Sequence, residues 1–417
     1  MAVTTTIARN SLWLFLAEGS NKGILFVITI ILARHFTVEE YGVFGFVFSI
    51  MTLIAMVADF GLANITLREL AKTRNEATRY FDDAIFLKII LSVTACLIMS
   101  VVGAFLPPGI RILAMLAGVA ILLEGMTDYL RIAFRASDRS QFEAVIKAVT
   151  ALILIGLVIC AVLLRLSLVH VLMGYIVAYS LGLILAIRLL DRRIKISLNL
   201  AVVRPLFIES WPMFLGIICI SAYGQIDLLL ISAFCGFAEV GLYQAAYKLL
   251  FGFQLLRVIH MAMFPKLAAL HADGDFAGYR SMMQRSILCS LVSLVPVGII
   301  TCFFPEEIVR LVFGQEYTSA ASALPFLIWS GILSFVASYF SSALMIAGRQ
   351  RIWLMMEFLV LVLLLVVEVI LIPGIGFMGA AIATFVGEAV FLLIIFSWVA
   401  KDNKLRGLFF SGDQKEC

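Results

Sequence analysis

The chain has 417 residues, 63% of them hydrophobic and only 14% charged, with a net charge of +4 and a mean hydropathy of +1.09. A water-soluble domain of this length cannot hide so much apolar surface, because its own exterior has to be wetted. The composition therefore excludes a soluble protein and points to lipid as the solvent, and no basic tract interleaved with aromatics points to nucleic acid.

A helix crosses the hydrocarbon core with about 20 mainly apolar residues. Twelve such segments follow in order, near 11–33, 41–67, 83–106, 111–134, 143–164, 167–187, 206–233, 241–264, 283–304, 321–346, 352–372 and 377–399. A dozen spans use roughly 240 positions at that length, which leaves short loops and no sizeable soluble domain. The first stretch carries Glu18 and Lys22 and is too long for the core of a signal peptide, so no cleavable signal is expected. Cys96, Cys160, Cys219, Cys235, Cys289, Cys302 and Cys417 are scattered, odd in number and without metal-ligand spacing. Six of them fall in or beside apolar spans and read as small core residues rather than disulfides.

The loops set the orientation. With the N-terminus placed inside, twenty-one Lys and Arg fall on the inner side, among them Arg68, Lys72, Arg135, Arg139, Arg192, Arg193, Lys266, Arg349, Arg351 and Lys401. The outer side receives only Arg34, Arg111, Arg165 and Arg310. That asymmetry predicts an even helix count with both termini cytoplasmic.

The two halves repeat. A shift of 199 places Ser11 on Ser210, Glu40 on Glu239 and Gly42 on Gly241 without a gap. Both copies carry an apolar helix, a short outer turn containing Glu40-Tyr41-Gly42 or Glu239-Val240-Gly241, a second long helix, and a polar inner segment at 68–82 or 265–281. Six helices precede the shift, so both copies enter the membrane the same way, the parallel six-plus-six arrangement of many transporters. The expected architecture is all-α, with a six-helix bundle and its inner linker over 1–200, a second bundle over 201–400 and a cytoplasmic tail over 401–417.

Charges inside the spans locate the function. Each costs about 2.5–3.5 kcal/mol on the insertion scale, so none is expected to face lipid. The bases are Lys22, Lys88, Arg131, Lys147, Lys248 and Arg257; the acids include Glu18, Asp59, Glu124, Asp128, Asp227, Glu357, Glu368 and Glu388. Glu18 and Lys22 share one helical face. In the fourth segment Glu124, Asp128, Arg131 and Arg135 step by four, three and four residues into a single stripe. That stripe reads as a cavity lining, since four charges on one face exceed what one partner neutralises. In the eighth, Tyr243, Tyr247, Gln254 and Arg257 share a face with Lys248 beside it; in the seventh, Tyr223 and Asp227 lie one turn apart; Trp353, Glu357 and Glu368 line the eleventh. For Glu18–Lys22, Glu143–Lys147 and Asp128–Arg131, ion pairs that hold helices together and contacts to a substrate both remain open. Lys88 and Glu143 sit near inner ends, where snorkelling is expected, and His260 reads as an interfacial residue.

Several motifs are decoys. Gly374 to Gly379 matches G-x-G-x-x-G, but it follows Pro373 between two apolar helices and no strand precedes it, so a tight outer hairpin is expected. Asn64-Ile65-Thr66 matches a glycosylation sequon inside the second segment. No Walker loop, zincin motif or nucleophile elbow is present, and nothing argues for an enzyme.

With helices and turns placed, the chain resembles the Wzx-type polysaccharide-unit flippases of the multidrug/oligosaccharidyl-lipid/polysaccharide exporter superfamily. The likeness covers nearly the whole chain. It rests on Ala33-Arg34, Glu40-Tyr41-Gly42, Asp59-Phe60-Gly61-Leu62 and Arg68-Glu69-Leu70-Ala71 in the first half. In the second half it rests on Trp211-Pro212, Asp227, Val240-Gly241-Leu242-Tyr243, Ala246, Phe264-Pro265 and Pro373-Gly374-Ile375-Gly376 leading to Gly379-Ala380-Ala381-Ile382-Ala383.

The resemblance implies a V-shaped pair of bundles, like that of multidrug exporters. These would move an undecaprenyl-diphosphate-linked oligosaccharide outward across the bacterial inner membrane by alternating access. No cofactor is implied; H+, Na+ or the membrane potential would couple the cycle, and a polysaccharide polymerase and chain-length regulator are the implied neighbours. Lys22, Arg131, Lys248 and Arg257 are then candidates for attracting the diphosphate, with Arg135 at the cytoplasmic mouth. Tyr223, Tyr247 and Gln254 are candidates for sugar contact. Glu18, Asp59, Glu124, Asp128 and Asp227 are candidates for ion pairing or coupling. A cation-coupled multidrug exporter of the same superfamily is the rival reading; it predicts an acid-dominated cavity, whereas bases and acids mix here. The lipid II flippases are expected to be longer, with extra C-terminal helices.

Overall fold

A computed structural model describes residues 2–72, 77–137, 139–190, 224–250 and 266–402, with scattered positions at 204–222 and at 263–264. Every regular element among them is helical. In chain order these are α1 (Ala2–His35), α2 (Val38–Asp59), α3 (Leu62–Lys72), α4 (Ala77–Ala104), α5 (Pro108–Ala136), α6 (Ser140–Leu163), α7 (Leu168–Leu189) and α8 (Ile226–Cys235). There follow α9 (Phe237–Lys248), α10 (Phe276–Phe303), α11 (Pro305–Phe313), a 3-10 turn (Gln315–Ser322), α12 (Leu324–Ile346), α13 (Gln350–Ile375) and α14 (Phe377–Lys401). Nine helices among the described residues are long and apolar enough to cross a membrane. The remaining expected spans fall on α1, whose first side chains lie outside the described residues, and on 206–233 and 241–264, which lie partly outside them.

The chain divides into two compact units, Met1–Leu229 and Leu230–Cys417. In the first, α5 packs against α4 and α7, α1 against α6, and α2 against both α4 and α5. Small residues set the closest approaches: a Cβ on Gly118 of α5 would stand 3.1 Å from the Cys96 carbonyl of α4, and one on Gly103 would stand 2.9 Å from Ala114. Without a hydrophobic drive between helices in lipid, such close backbone contact supplies the attraction. In the second unit α14 packs against α12 and α13, α10 against α12, and α9 against α14. Large apolar side chains remain exposed on both units, including Leu152, Leu163, Val292, Ile370 and Leu393. Lipid tails cover such side chains without cost.

Two elements depart from the sequence reading. The second segment, expected as one helix over 41–67, is two. Phe60 (φ 50°) and Gly61 (φ 74°) are left-handed, and the Phe60 amide closes α2 onto the Met56 carbonyl at 2.7 Å. The chain then restarts as α3, which carries the Asn64-Ile65-Thr66 match. The gap between segments nine and ten holds α11 and the 3-10 turn. Pro305 at the first position and Glu306 and Glu307 in the first turn mark the start of α11.

Glu40 and Glu239, superimposed by the 199-residue shift, act differently. Thr37 and Glu40 form a capping box on α2: the Thr37 amide donates to Glu40 Oε2 at 3.0 Å and the Glu40 amide to Thr37 Oγ1 at 3.3 Å. Glu239 instead reaches across its unit, where Oε2 accepts from the Phe377 amide at 3.0 Å and caps α14. Gly374 to Gly379 is an interhelical turn, as expected, with Gly376 at φ 62°, ψ −146°. A Cβ on Gly376 would lie 2.5 Å from Glu239 Oε2. Gly376→Ala is expected to lower stability by about 1–3 kcal/mol, through strained backbone and the displaced cap, and Glu239→Gln by less. Thermal unfolding of the purified variants in detergent checks the order.

Candidate functional site

Ten charges of the first unit form a connected cluster on five helices. Glu18 of α1 pairs with Lys22 one turn along (3.6 Å) and accepts from Lys147 of α6 at 3.0 Å. Lys147 also pairs with Glu143 at 3.3 Å. Glu143 in turn grips Arg135 of α5 with both oxygens, at 3.1 Å from Nε and 2.5 Å from Nη2. The expected i,i+4 pairs are therefore present, and a link across α1, α6 and α5 that sequence spacing does not reveal joins them.

The other part of the stripe faces α2, α4 and α7. Arg131 pairs with Asp128, whose side chain is 52% exposed, and stands in the fields of Glu124 and Glu143. Tyr179 of α7 hydrogen-bonds Glu124. Lys88 donates to the Ala58 carbonyl at 2.7 Å, with Asp59 and Glu124 as its facing carboxylates.

Lys88 and Glu143 do not snorkel: they are 2% and 0% exposed. The cause for Lys88 is the early end of α2, which leaves a carbonyl inside the unit; for Glu143 it is the two bases that close on it. Five acids (Glu18, Asp59, Glu124, Asp128, Glu143) thus meet five bases (Lys22, Lys88, Arg131, Arg135, Lys147). With all ten ionised the cluster is neutral, so Lys22, Arg131 and Arg135 present no surplus positive charge.

The second unit is different. Tyr243 and Tyr247 of α9 stack with ring centroids 5.9 Å apart at 24°, and the Tyr243 hydroxyl meets Thr384 Oγ1 of α14 at 3.4 Å. Lys248 follows, partly buried, and no carboxylate partner stands against it among the described residues. Glu368 is buried on α13; Asp227, buried in the first turn of α8, falls at the end of the first unit. Tyr223, Gln254 and Arg257 lie outside the described residues. The α11 insertion holds a separate polar cleft of about 300 Å³ lined by Glu306, Glu307, Arg310, Gln315 and Thr318, none of them a candidate from the sequence. Among the described residues no group of three His, Cys, Asp or Glu could hold a metal ion.

Residues 7–271 match the family described as "Polysaccharide biosynthesis protein". The chain belongs to that family. A second family, MatE, matches over residues 212–370.

Relatives of this family member include the "Probable low-salt glycan biosynthesis flippase Agl15" of Haloferax volcanii, 25% identical over 92% of this chain and 81% of that protein. The "Putative O-antigen transporter" of Escherichia coli strain K12 is 23% identical over 78% of this chain and 81% of that one. In fold, the family member is similar to the lipid II flippase MurJ in an inward closed conformation, with a TM-score of 0.76, 13% identity and 93% and 87% of the two chains covered. An inward-facing multidrug resistance transporter of the MATE family gives 0.74 and 14%, over 93% and 95%. The expected superfamily is thereby borne out.

Removing the carboxylate at Glu143 leaves two bases facing each other in a dry site. Glu143→Gln is expected to cost about 2–4 kcal/mol of stability, and Glu18→Gln, whose carboxylate is 39% exposed, clearly less. Comparing detergent-solubilised unfolding midpoints of the two variants with wild type checks this.

Proposed function

We propose that this protein is a flippase that carries undecaprenyl-diphosphate-linked oligosaccharide units from the cytoplasmic to the outer face of the bacterial inner membrane, by alternating access through a central basic cavity. Twelve spans with both termini cytoplasmic complete this reading, and it rests on the family and on relatives named as a glycan flippase and an O-antigen transporter. The observation that carries the substrate's charge is Lys248, a partly buried base with no carboxylate beside it among the described residues, next to the stacked Tyr243 and Tyr247.

A lysine in low dielectric needs a counter-anion, and a diphosphate oxygen supplies one. Tyrosine rings give sugars an apolar face and a hydroxyl. Arg257, Gln254 and Tyr223 would extend this surface. In the first unit Lys22, Arg131 and Arg135 would reach a diphosphate only by exchanging a carboxylate for a phosphate, which gives Glu18, Asp128 and Glu143 a part in release. Asp59, Glu124 and Asp227 are further candidates for coupling to H+, Na+ or the membrane potential. A polymerase and a chain-length regulator would receive the product on the outer face.

The rival, a cation-coupled multidrug exporter, draws support from the MatE match and the MATE structures. Cells lacking the gene are expected to accumulate lipid-linked oligosaccharide on the cytoplasmic face, and the wild-type gene to relieve it. At equal membrane levels, Lys248→Ala is expected to reduce this relief about tenfold, as the loss of one charge-assisted contact of ~1.5 kcal/mol implies, and Lys248→Arg to retain most of it. No accumulation, with new sensitivity to cationic drugs, moves the assignment to the exporter.

A further inference from the structure

The surroundings of Lys88 are unlike those of the other bases in the cluster, because its direct contact is to backbone. Helix α2 ends inside the first unit at the left-handed Phe60–Gly61 turn, so the partial negative charge of its C-terminal carbonyls is also inside. The Ala58 carbonyl accepts from Lys88 Nζ at 2.7 Å. Asp59, on the same helix end, and Glu124 of α5 are the carboxylates in whose fields the ammonium sits.

A fourth oxygen lies close by. Ser92, one turn along α4 from Lys88, is fully buried and its hydroxyl has no hydrogen-bond partner. Gly125 of α5 opens the space between them: a Cβ there would stand 3.4 Å from Ser92 Oγ and 3.5 Å from Lys88 Nζ.

One carbonyl in contact with the ammonium, a buried hydroxyl without a partner nearby and two carboxylates acting on it through their fields make an oxygen-rich, negatively biased pocket of the kind that suits alkali cations once the amine is gone. The net charge of the set, with one ammonium between two carboxylates and a helix end, suits a monovalent ion. Without that charge, Asp59, Glu124 and Asp128 face Arg131 as the nearest base of their part of the cluster, and buried carboxylates do not stay ionised without compensation.

We propose that this is a monovalent-cation site occupied by the chain's own Lys88 ammonium, and that removing the amine opens it to Na+ or K+. This site then carries a cation that cannot dissociate, its packing is indifferent to the external ion, and any coupling through Asp59 and Glu124 is to H+ or the membrane potential rather than to Na+. This holds whether or not the substrate is a lipid-linked glycan, since it is read from stability rather than transport.

The test is thermal unfolding of the full-length protein in detergent, in NaCl, KCl or choline chloride at equal ionic strength. Wild type is expected to unfold at the same temperature in all three. Lys88→Ala is expected to unfold earlier in choline and to recover by at least about 2 °C, saturably, in Na+ or K+. The double variant Lys88→Ala/Ser92→Ala is expected to lose most of that recovery. A Lys88→Ala protein that gains no more from Na+ or K+ than from choline overturns the proposal, as does recovery that survives undiminished in the double variant. Lys88→Gln guards against a folding failure of the alanine variant. It keeps a donor for the Ala58 carbonyl but no charge, so it must be less stable than wild type in choline; a glutamine variant as stable as wild type shows that no cation is needed there and also overturns the proposal.

Discussion

A charge or an unpaired backbone group in hydrocarbon has only the protein to answer it, because lipid tails offer neither a counter-ion nor a hydrogen bond. In this chain the answer is local and dense in the first unit. Five carboxylates and five bases on α1, α2, α4, α5 and α6 are arranged so that nearly every one touches an opposite charge or a helix end. The stripe on α5 is the shared element: Glu124 serves α4 and α7, Arg131 stands mid-stripe and Arg135 serves α6. Much of the packing of the unit depends on α5 keeping that face inward.

The same constraint distinguishes the two units. A neutral cluster holds helices together and offers an anion nothing until one of its own carboxylates gives way. Lys248 has the stacked Tyr243 and Tyr247 beside it and no carboxylate against it among the described residues, which is the environment the proposed anionic substrate requires. The family's association with polysaccharide assembly and this asymmetry point the same way. The proposed lipid-linked glycan would bring its negative charge at one end and its hydroxyls at the other, and α9 carries a base and tyrosines side by side.

What could be read in the sequence was what repeats within one helix. Apolar length gave the spans, and steps of three and four gave Glu18–Lys22, Asp128–Arg131 and Glu143–Lys147, because a helix fixes which residues share a face before any packing is known. Contacts between helices were not legible: Lys147 to Glu18 spans 129 positions and requires that α1 lie against α6. The burial of Lys88 was missed for a different reason. Hydropathy ran on through Phe60, and only a left-handed turn at a non-glycine residue, which no periodicity announces, ended α2 early. The α11 insertion was passed over because nine residues are too few for a span, although Pro305 and the two glutamates after it carried the signal.

Glu40 and Glu239, which the 199-residue shift superimposes, set different schedules for the two halves during synthesis. Glu40 finds its partner three residues away, so the cap of α2 can form as soon as the turn leaves the ribosome. Glu239 waits for an amide 138 residues downstream, which exists only once synthesis has reached α14. The first half can thus settle its hairpin while translation continues. The second keeps an open carboxylate at its turn until α14 has been made, so the contact between Glu239 and Phe377 can form only late.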